Sequence, residues 1–132
     1  MTLPTAATLY DVVDTTWPAA EKITCGPFTL RRGLCAGSRV SAATANAPAN
    51  NDEIATAAKA MGEMGQPALF MIRDTDADLD AQLENIGYLI KDPVTLYAAP
   101  TATMTTTRPP HKTVFTAWPP LAAQVEIWAL GG

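Results

Sequence analysis

Histidine and cysteine are nearly missing from this chain: 132 residues hold one histidine, His111, and two cysteines, Cys25 and Cys35. Two thiols cannot make a structural zinc site without other ligands, and the single histidine does not supply them. The cysteines flank a strand and its turn. Their spacing permits a disulfide, but reduced thiols are expected in a reducing compartment. Ser38 and Ser41 have no histidine near them in sequence, so a hydrolase triad has no support. His111 follows two prolines and reads as a solvated loop residue; as a general base it would need a partner. Basic residues are also few, nine against thirteen acidic ones, for a net charge of −4. Nonspecific nucleic-acid binding depends on a basic surface that displaces counterions, so nucleic acid is not an expected partner. No apolar run approaches the roughly 20 residues that span a bilayer. The opening MTLPTAATLYDVVD has no basic region followed by an apolar stretch, so neither a membrane nor a signal peptide is indicated. The cytoplasm is the default location.

What is present is core material. The hydrophobic fraction of 48% is ample for one domain, or one domain plus part of another. Residues 52 to 99 carry the clearest pattern. Asn51 or Asp52 offers an N-cap, with Asp52 and Glu53 acidic in the first turn. Ile54, Ala57, Ala58 and Met61 follow at the helical period, and Gly65 and Pro67 end the helix. Ala68 to Ile72 is a continuous apolar run, which predicts a strand covered on both faces. Asp74, Thr75 or Asp76 can cap a second helix, with Leu79, Leu83 and Ile86 inside and Gly87 at its end. Tyr88 to Tyr97 reads as a returning strand, at a sheet edge or bulged because Pro93 cannot donate to a ladder. Strands alternating with helices predict βαβ units.

Upstream, Thr5 can cap a first helix with Leu9, Val12 and Val13 on one face and Pro18 past its end. Gly26-Pro27 is a turn. Phe28 to Arg32 alternates as a strand, and Ser38 to Thr44 alternates as its hairpin partner. Asn46 to Asn51 is a polar loop. Downstream, residues 101–110 form a Thr/Pro-rich linker by composition. Thr113 to Trp118 predicts a strand, and Pro119-Pro120 opens a helix with Leu121, Val125 and Trp128 on one face. One strand and one helix look like the first elements of a second domain. The expected division is 1–100, 101–110 and 111–132.

The order helix, hairpin, helix, strand, helix, strand resembles the GNAT superfamily of acyl-CoA-dependent N-acetyltransferases. Leu69 to Arg73 leading into Leu79 to Gly87-Tyr88 is similar to that family's strand, helix and Gly-aromatic pair. Trp118-Pro119-Pro120, Ile127-Trp128 and Gly131-Gly132 resemble the opening of the catalytic half in two-part bacterial members, whose first half is degenerate. The resemblance implies an α/β (α+β) fold, a GNAT-like mixed sheet with a hairpin followed by α-β-α-β. The family's acyl-CoA loop, R/Q-x-x-G-x-G/A, corresponds to Asn46 to Asn51, which has neither glycine nor a basic residue. The tyrosine that often protonates the thiolate corresponds to Leu83. The resemblance therefore implies a non-catalytic N-terminal module that shapes the acceptor site and docks a catalytic half. Acetyl-CoA is expected only where such a half exists, and no catalytic residue or metal in this chain.

The remaining candidates are few. Asp74, Asp76, Asp78 and Asp80 crowd one helix start without the glycine and distal glutamate of a calcium loop, so capping explains them. Arg31, Arg39 and Arg73 lie on or beside strands and form an anion or substrate site if they converge; otherwise they serve surface ion pairs. Trp118, Leu121, Val125 and Trp128 are the candidate interface, for a catalytic half or for a second copy in a homodimer. A free-standing binding or dimerisation module without enzymatic activity is the alternative function.

Overall fold

A computed structural model of the chain describes residues 2–104, 107–111, 113–114 and 116–131. Among the described residues the fold is mixed α and β. In chain order it comprises α1 (Ala6–Thr16), β1 (Glu21–Cys25), β2 (Phe28–Arg32), β3 (Thr44–Ala45), α2 (Asn51–Glu63), α3 (Ala77–Asn85), α4 (Thr101–Met104) and α5 (Ala122–Gly131). The strands make one antiparallel sheet in the order β1-β2-β3. The chain divides into two compact units, Pro4–Leu96 and Tyr97–Gly132 with Met1–Leu3.

The first unit is built on a tight hairpin. Gly26 takes φ +54° and Pro27 follows with its fixed negative φ, the sequence pattern of a type II′ turn that suits the strand twist. Glu21 then faces Arg32, Ile23 faces Leu30 and Cys25 faces Phe28. Phe28 and Leu30 are fully buried with Ile54, Ala57 and Met61 of α2. Those three helix residues lie one turn apart on one side, and Ala57 has no bulk to hold the helix off the sheet. A capping box starts α2: Asn50 Oδ1 accepts the Glu53 amide at 3.0 Å, and Glu53 accepts the Asn50 amide at 2.8 Å. Gly65, at φ +75°, lies just past its end. Leu79 and Leu83 of α3 join the same core. Phe70 bridges Phe28 and Tyr88 through edge-to-face contacts at 5.3 and 5.5 Å.

Several expectations change. The N-cap of α2 is Asn50, one residue before the positions favoured by sequence. The hairpin partner of β2 is β1, not Ser38 to Thr44. A two-residue turn closes with less chain than the loop after Gly33, in which Leu34, Cys35 and Gly37 all have positive φ. Ser38–Val40 coils into a 3₁₀ turn, and only Thr44–Ala45 reaches β2. Ala68 to Met71 are half-buried, Ile72 is exposed, and the run contributes one parallel bridge, Phe70 to Ala43. Its two hydrogen bonds run from the Ala43 amide to Leu69 and from the Met71 amide to Ala43. Tyr88 to Tyr97 is not a strand. A single rung leaves no ladder to extend, Pro93 lacks a donor, and the side chains of Lys91 and Asp92 bond Ser38 instead. The alternating sheet of regular α-β-α-β form is thus not present.

In the second unit, residues 101–104 of the expected linker form α4, and α5 follows Pro120 and Leu121. Among residues 113, 114 and 116–118 none is in a strand; Phe115 of that expected strand lies outside the described residues.

Core and surface changes should separate cleanly in urea denaturation. Met61→Ala is expected to cost about 2–5 kcal/mol, because a fully buried side chain leaves a cavity. Asn50→Ala is expected to cost about 1 kcal/mol through the lost cap. Val94→Ala, on an exposed stretch, should stay within about 0.5 kcal/mol.

Candidate functional site

The arginines raised by sequence each meet a different set of protein partners. Arg31 lies on the face of β2 opposite Phe28 and Leu30, and its side chain is nearly buried. Its Nε donates to Asp14 Oδ1 of α1 at 2.9 Å. Its Nη1 donates to the Ala42 carbonyl at 3.0 Å and to Thr44 Oγ1 at 2.9 Å. Lys22 of β1 completes the cluster by pairing with Asp14 Oδ2. A buried guanidinium is costly unless paired and hydrogen-bonded, and Arg31 is both.

Gln66, in the loop after α2, clamps the same region. Its Nε2 donates to the carbonyls of Arg31 at 2.6 Å and Ser41 at 3.0 Å, and its Oε1 accepts the Gly33 amide at 3.2 Å. A Cβ at position 33 would crowd the Ser41 hydroxyl and lie 3.0 Å from the Val40 carbonyl oxygen, a backbone atom, so the close approach there favours glycine. Arg73 is bound to Asp76, Nε to Oδ2 at 2.9 Å, and to the Ala45 carbonyl. Asp76 also accepts the Arg73 amide at 3.0 Å. It stands at the N-cap position of α3 without capping it. Arg39 is exposed and lies over the Trp17 ring, 5.0 Å from its centre. Partners for Arg31 and Arg73 are thus already in place, and both act as braces between elements.

Two clefts open on the first unit. One, of about 350 Å³, lies between β1–β2 and the end of α2 and is lined by Ile23, Cys25, Leu30, Ala60 and Met64 with Arg32 and Glu63. The other, of about 190 Å³, is lined by Tyr10, Asp11, Arg73, Asp74 and Thr75. There the Tyr10 hydroxyl donates to Asp74 Oδ1 at 3.3 Å and accepts its amide at 3.2 Å. Cys25 and Cys35 are both free thiols, Cys25 half-buried in the larger cleft and Cys35 exposed. Among the described residues no group of three or more His, Cys, Asp or Glu side chains is placed to hold a metal, and no helix is long and apolar enough to cross a membrane. Asp74, Asp78 and Asp80 are exposed around the start of α3; His111 is exposed, Ser41 donates to the Gly37 carbonyl at 2.8 Å, and Ser38 meets Lys91 and Asp92.

The candidate interface lies in the second unit. Trp118 and Trp128 are 88% and 76% exposed, and Leu121, Val125, Ile127 and Leu130 are exposed beside them. Sequence reasoning did not place Ile127 and Leu130 in the interface. They lie off the face marked by Leu121, Val125 and Trp128, so exposed apolar side chains are found on more than one side of α5. Asp14 and Gln66 were also not singled out. Neither follows a periodic pattern, and each is recognisable only from the partners that folding brings to it.

The Asp14 cluster carries a pH dependence. Partial burial alone would raise the Asp14 carboxyl. Hydrogen bonds from Lys22 and Arg31, with their two positive charges, outweigh it, and the carboxyl is held below its ordinary value of 3.8. A lowered pKa contributes stability above the unfolded value, lost as pH falls through the folded one. Asp14→Asn should therefore be less stable than the parent at neutral pH, with the gap narrowing below pH 3.8. Urea melts at neutral pH and in acid measure it; a gap that stays constant into acid would contradict the pairing.

Comparison of the chain with protein-family models, with curated proteins and with solved structures finds no match.

Proposed function

We propose that this chain is a non-catalytic docking module, the N-terminal part of a two-part GNAT-type acetyltransferase, which holds a catalytic half through α5. The observation that carries this reading is the apolar character of α5, interrupted only by Gln124 and Glu126, with exposed apolar side chains on more than one side. A helix of that kind is stable in water only when a partner surrounds it. Glu126 is its one charged side chain, and it has no lysine or arginine to draw it to an anionic lipid surface. A protein surface is the partner that fits. The motif Trp118-Pro119-Pro120 with Ile127-Trp128 favours a GNAT-type catalytic half as that surface.

The start of α2 supports the non-catalytic part of the reading. In the resembled family the cofactor pyrophosphate sits on a helix N-terminus reached through a glycine-rich loop. Here the capping box occupies the amides of Asn50 and Glu53, and the side chains of Asp52 and Glu53 add negative charge. Pro48 removes one further amide from the preceding loop. Leu83, at the position of the family's proton donor, is buried in the core.

Two measurements test the proposal. Titration calorimetry of the 132-residue chain with acetyl-CoA should show no saturable binding; saturation at micromolar concentration would overturn the non-catalytic reading. A GNAT-type catalytic half that carries R/Q-x-x-G-x-G/A, supplied in trans, should bind the chain. Trp118→Ala and Trp128→Ala should each weaken that binding roughly tenfold or more, as buried interface tryptophans do. Equal binding by both variants would remove α5 as the docking surface.

A further inference from the structure

We infer that the outer edge of β1, with the cleft beside it, is a docking site for the segment Leu89–Leu96 of a second copy of this chain. Among the described residues β1 pairs with β2 alone, so every second amide and carbonyl along Glu21–Cys25 faces outward without a strand partner. Charged side chains ordinarily guard such an edge. Here both charges of β1 are committed: Lys22 pairs with Asp14, and Glu21 pairs with Arg32. Beside the edge lies the cleft of about 350 Å³, floored by Ile23, Cys25, Leu30 and Met64 with Arg32 at its margin.

The same chain carries a segment that fits. Among the described residues the backbone of Leu89–Leu96 makes no backbone hydrogen bond, and Leu89, Ile90, Val94 and Leu96 are 90, 83, 68 and 41% exposed. In extended form Ile90, Asp92, Val94 and Leu96 share one face and present their amides along one edge. Laid against β1, that face turns the three aliphatic side chains into the cleft and brings the Asp92 carboxylate toward Arg32. The opposite edge is blunted at Pro93, which has no donor. One segment is added and no further strand follows, so two copies exchange segments and close the pair rather than grow a fibre.

Size is consistent with a stable pair. Reciprocal exchange seats two segments and fills two clefts rather than one, which moves the buried area toward the roughly 1,600 Å² of a standard interface. The site lies wholly within the first unit and does not use α5, so it stands or falls independently of the docking role above.

Sedimentation equilibrium of the full chain, combined with residue-resolved amide hydrogen exchange, tests it. A concentration-dependent dimer is expected, with protection appearing together in residues 21–25 and 89–96. Val94→Lys and Leu96→Lys should each weaken the dimer roughly tenfold or more while circular dichroism and urea midpoint stay near the parent's. Trp118→Ala and Trp128→Ala should leave it unchanged. A monomer up to millimolar concentration, a dimer in which those two segments stay unprotected, or lysine variants that dimerise as tightly as the parent would each overturn the inference.

Discussion

The close packing of α2 against β2 is the contact on which the rest of the first unit depends. Ala57, fully buried with only a methyl group, suits it: the side chain adds little bulk between helix and sheet, and Ile54 and Met61 are buried in the same cluster as Phe28 and Leu30. The helix is held in place from its own ends. Asn50 and Glu53 fix where it begins, and Gly65 lets the chain reverse so that Gln66 lands on the carbonyls of Arg31 and Ser41. Apolar burial supplies the larger stabilising term, while the hydrogen bonds of Gln66 define which loop conformation accompanies it.

The opposite face of the sheet is held differently. α1 has no fully buried residue, and it meets the sheet through Asp14, which receives Arg31 and Lys22, and meets the loop before α3 through Tyr10 and Asp74. An arginine is suited to this task, since its planar fork can satisfy a carboxylate, a carbonyl and a hydroxyl at once. Its partners Ala42 and Thr44 belong to the stretch that enters β3. The side chain that resembled an anion site in sequence thus ties three parts of the chain together. Arg73 does the same between the start of α3 and Ala45.

Helices were more legible in the sequence than strands. Thr5, Gly65 and Gly87 mark local backbone events, and Ile54, Ala57, Met61, Leu79 and Leu83 of the periodic sets become buried, whereas Ala58 is half-buried and Ile86, expected inside, is exposed at the C-cap of α3. Strand pairing depends on contacts distant in sequence. Glu21–Cys25 was unread because Ile23 is its one large apolar side chain, although the Gly26-Pro27 turn that creates it was evident. The alternation from Ser38 to Thr44 was misleading, because three positive-φ residues before it set the chain into a 3₁₀ turn. Arg31, Arg39 and Arg73 were visible as candidates, but their partners Asp14, Trp17 and Asp76 only folding reveals. The apolar face of α5 was legible through Leu121, Val125 and Trp128, and the exposure of Leu130 off that face was not.

A core completed by so few residues leaves other apolar side chains outside it, and both functional proposals rest on that surplus. The underlying claim is that one small core, α2 on β2 with the single rung between Ala43 and Phe70, organises the first unit. Native-state amide hydrogen exchange, resolved by residue under mildly denaturing conditions, tests it most directly. The amides of Ala43 and Met71 should exchange in the same slow cooperative group as Leu30 and the buried turn of α2 around Ala57. Exchange of Ala43 and Met71 at the rate of open loops, while α2 stays protected, would contradict it.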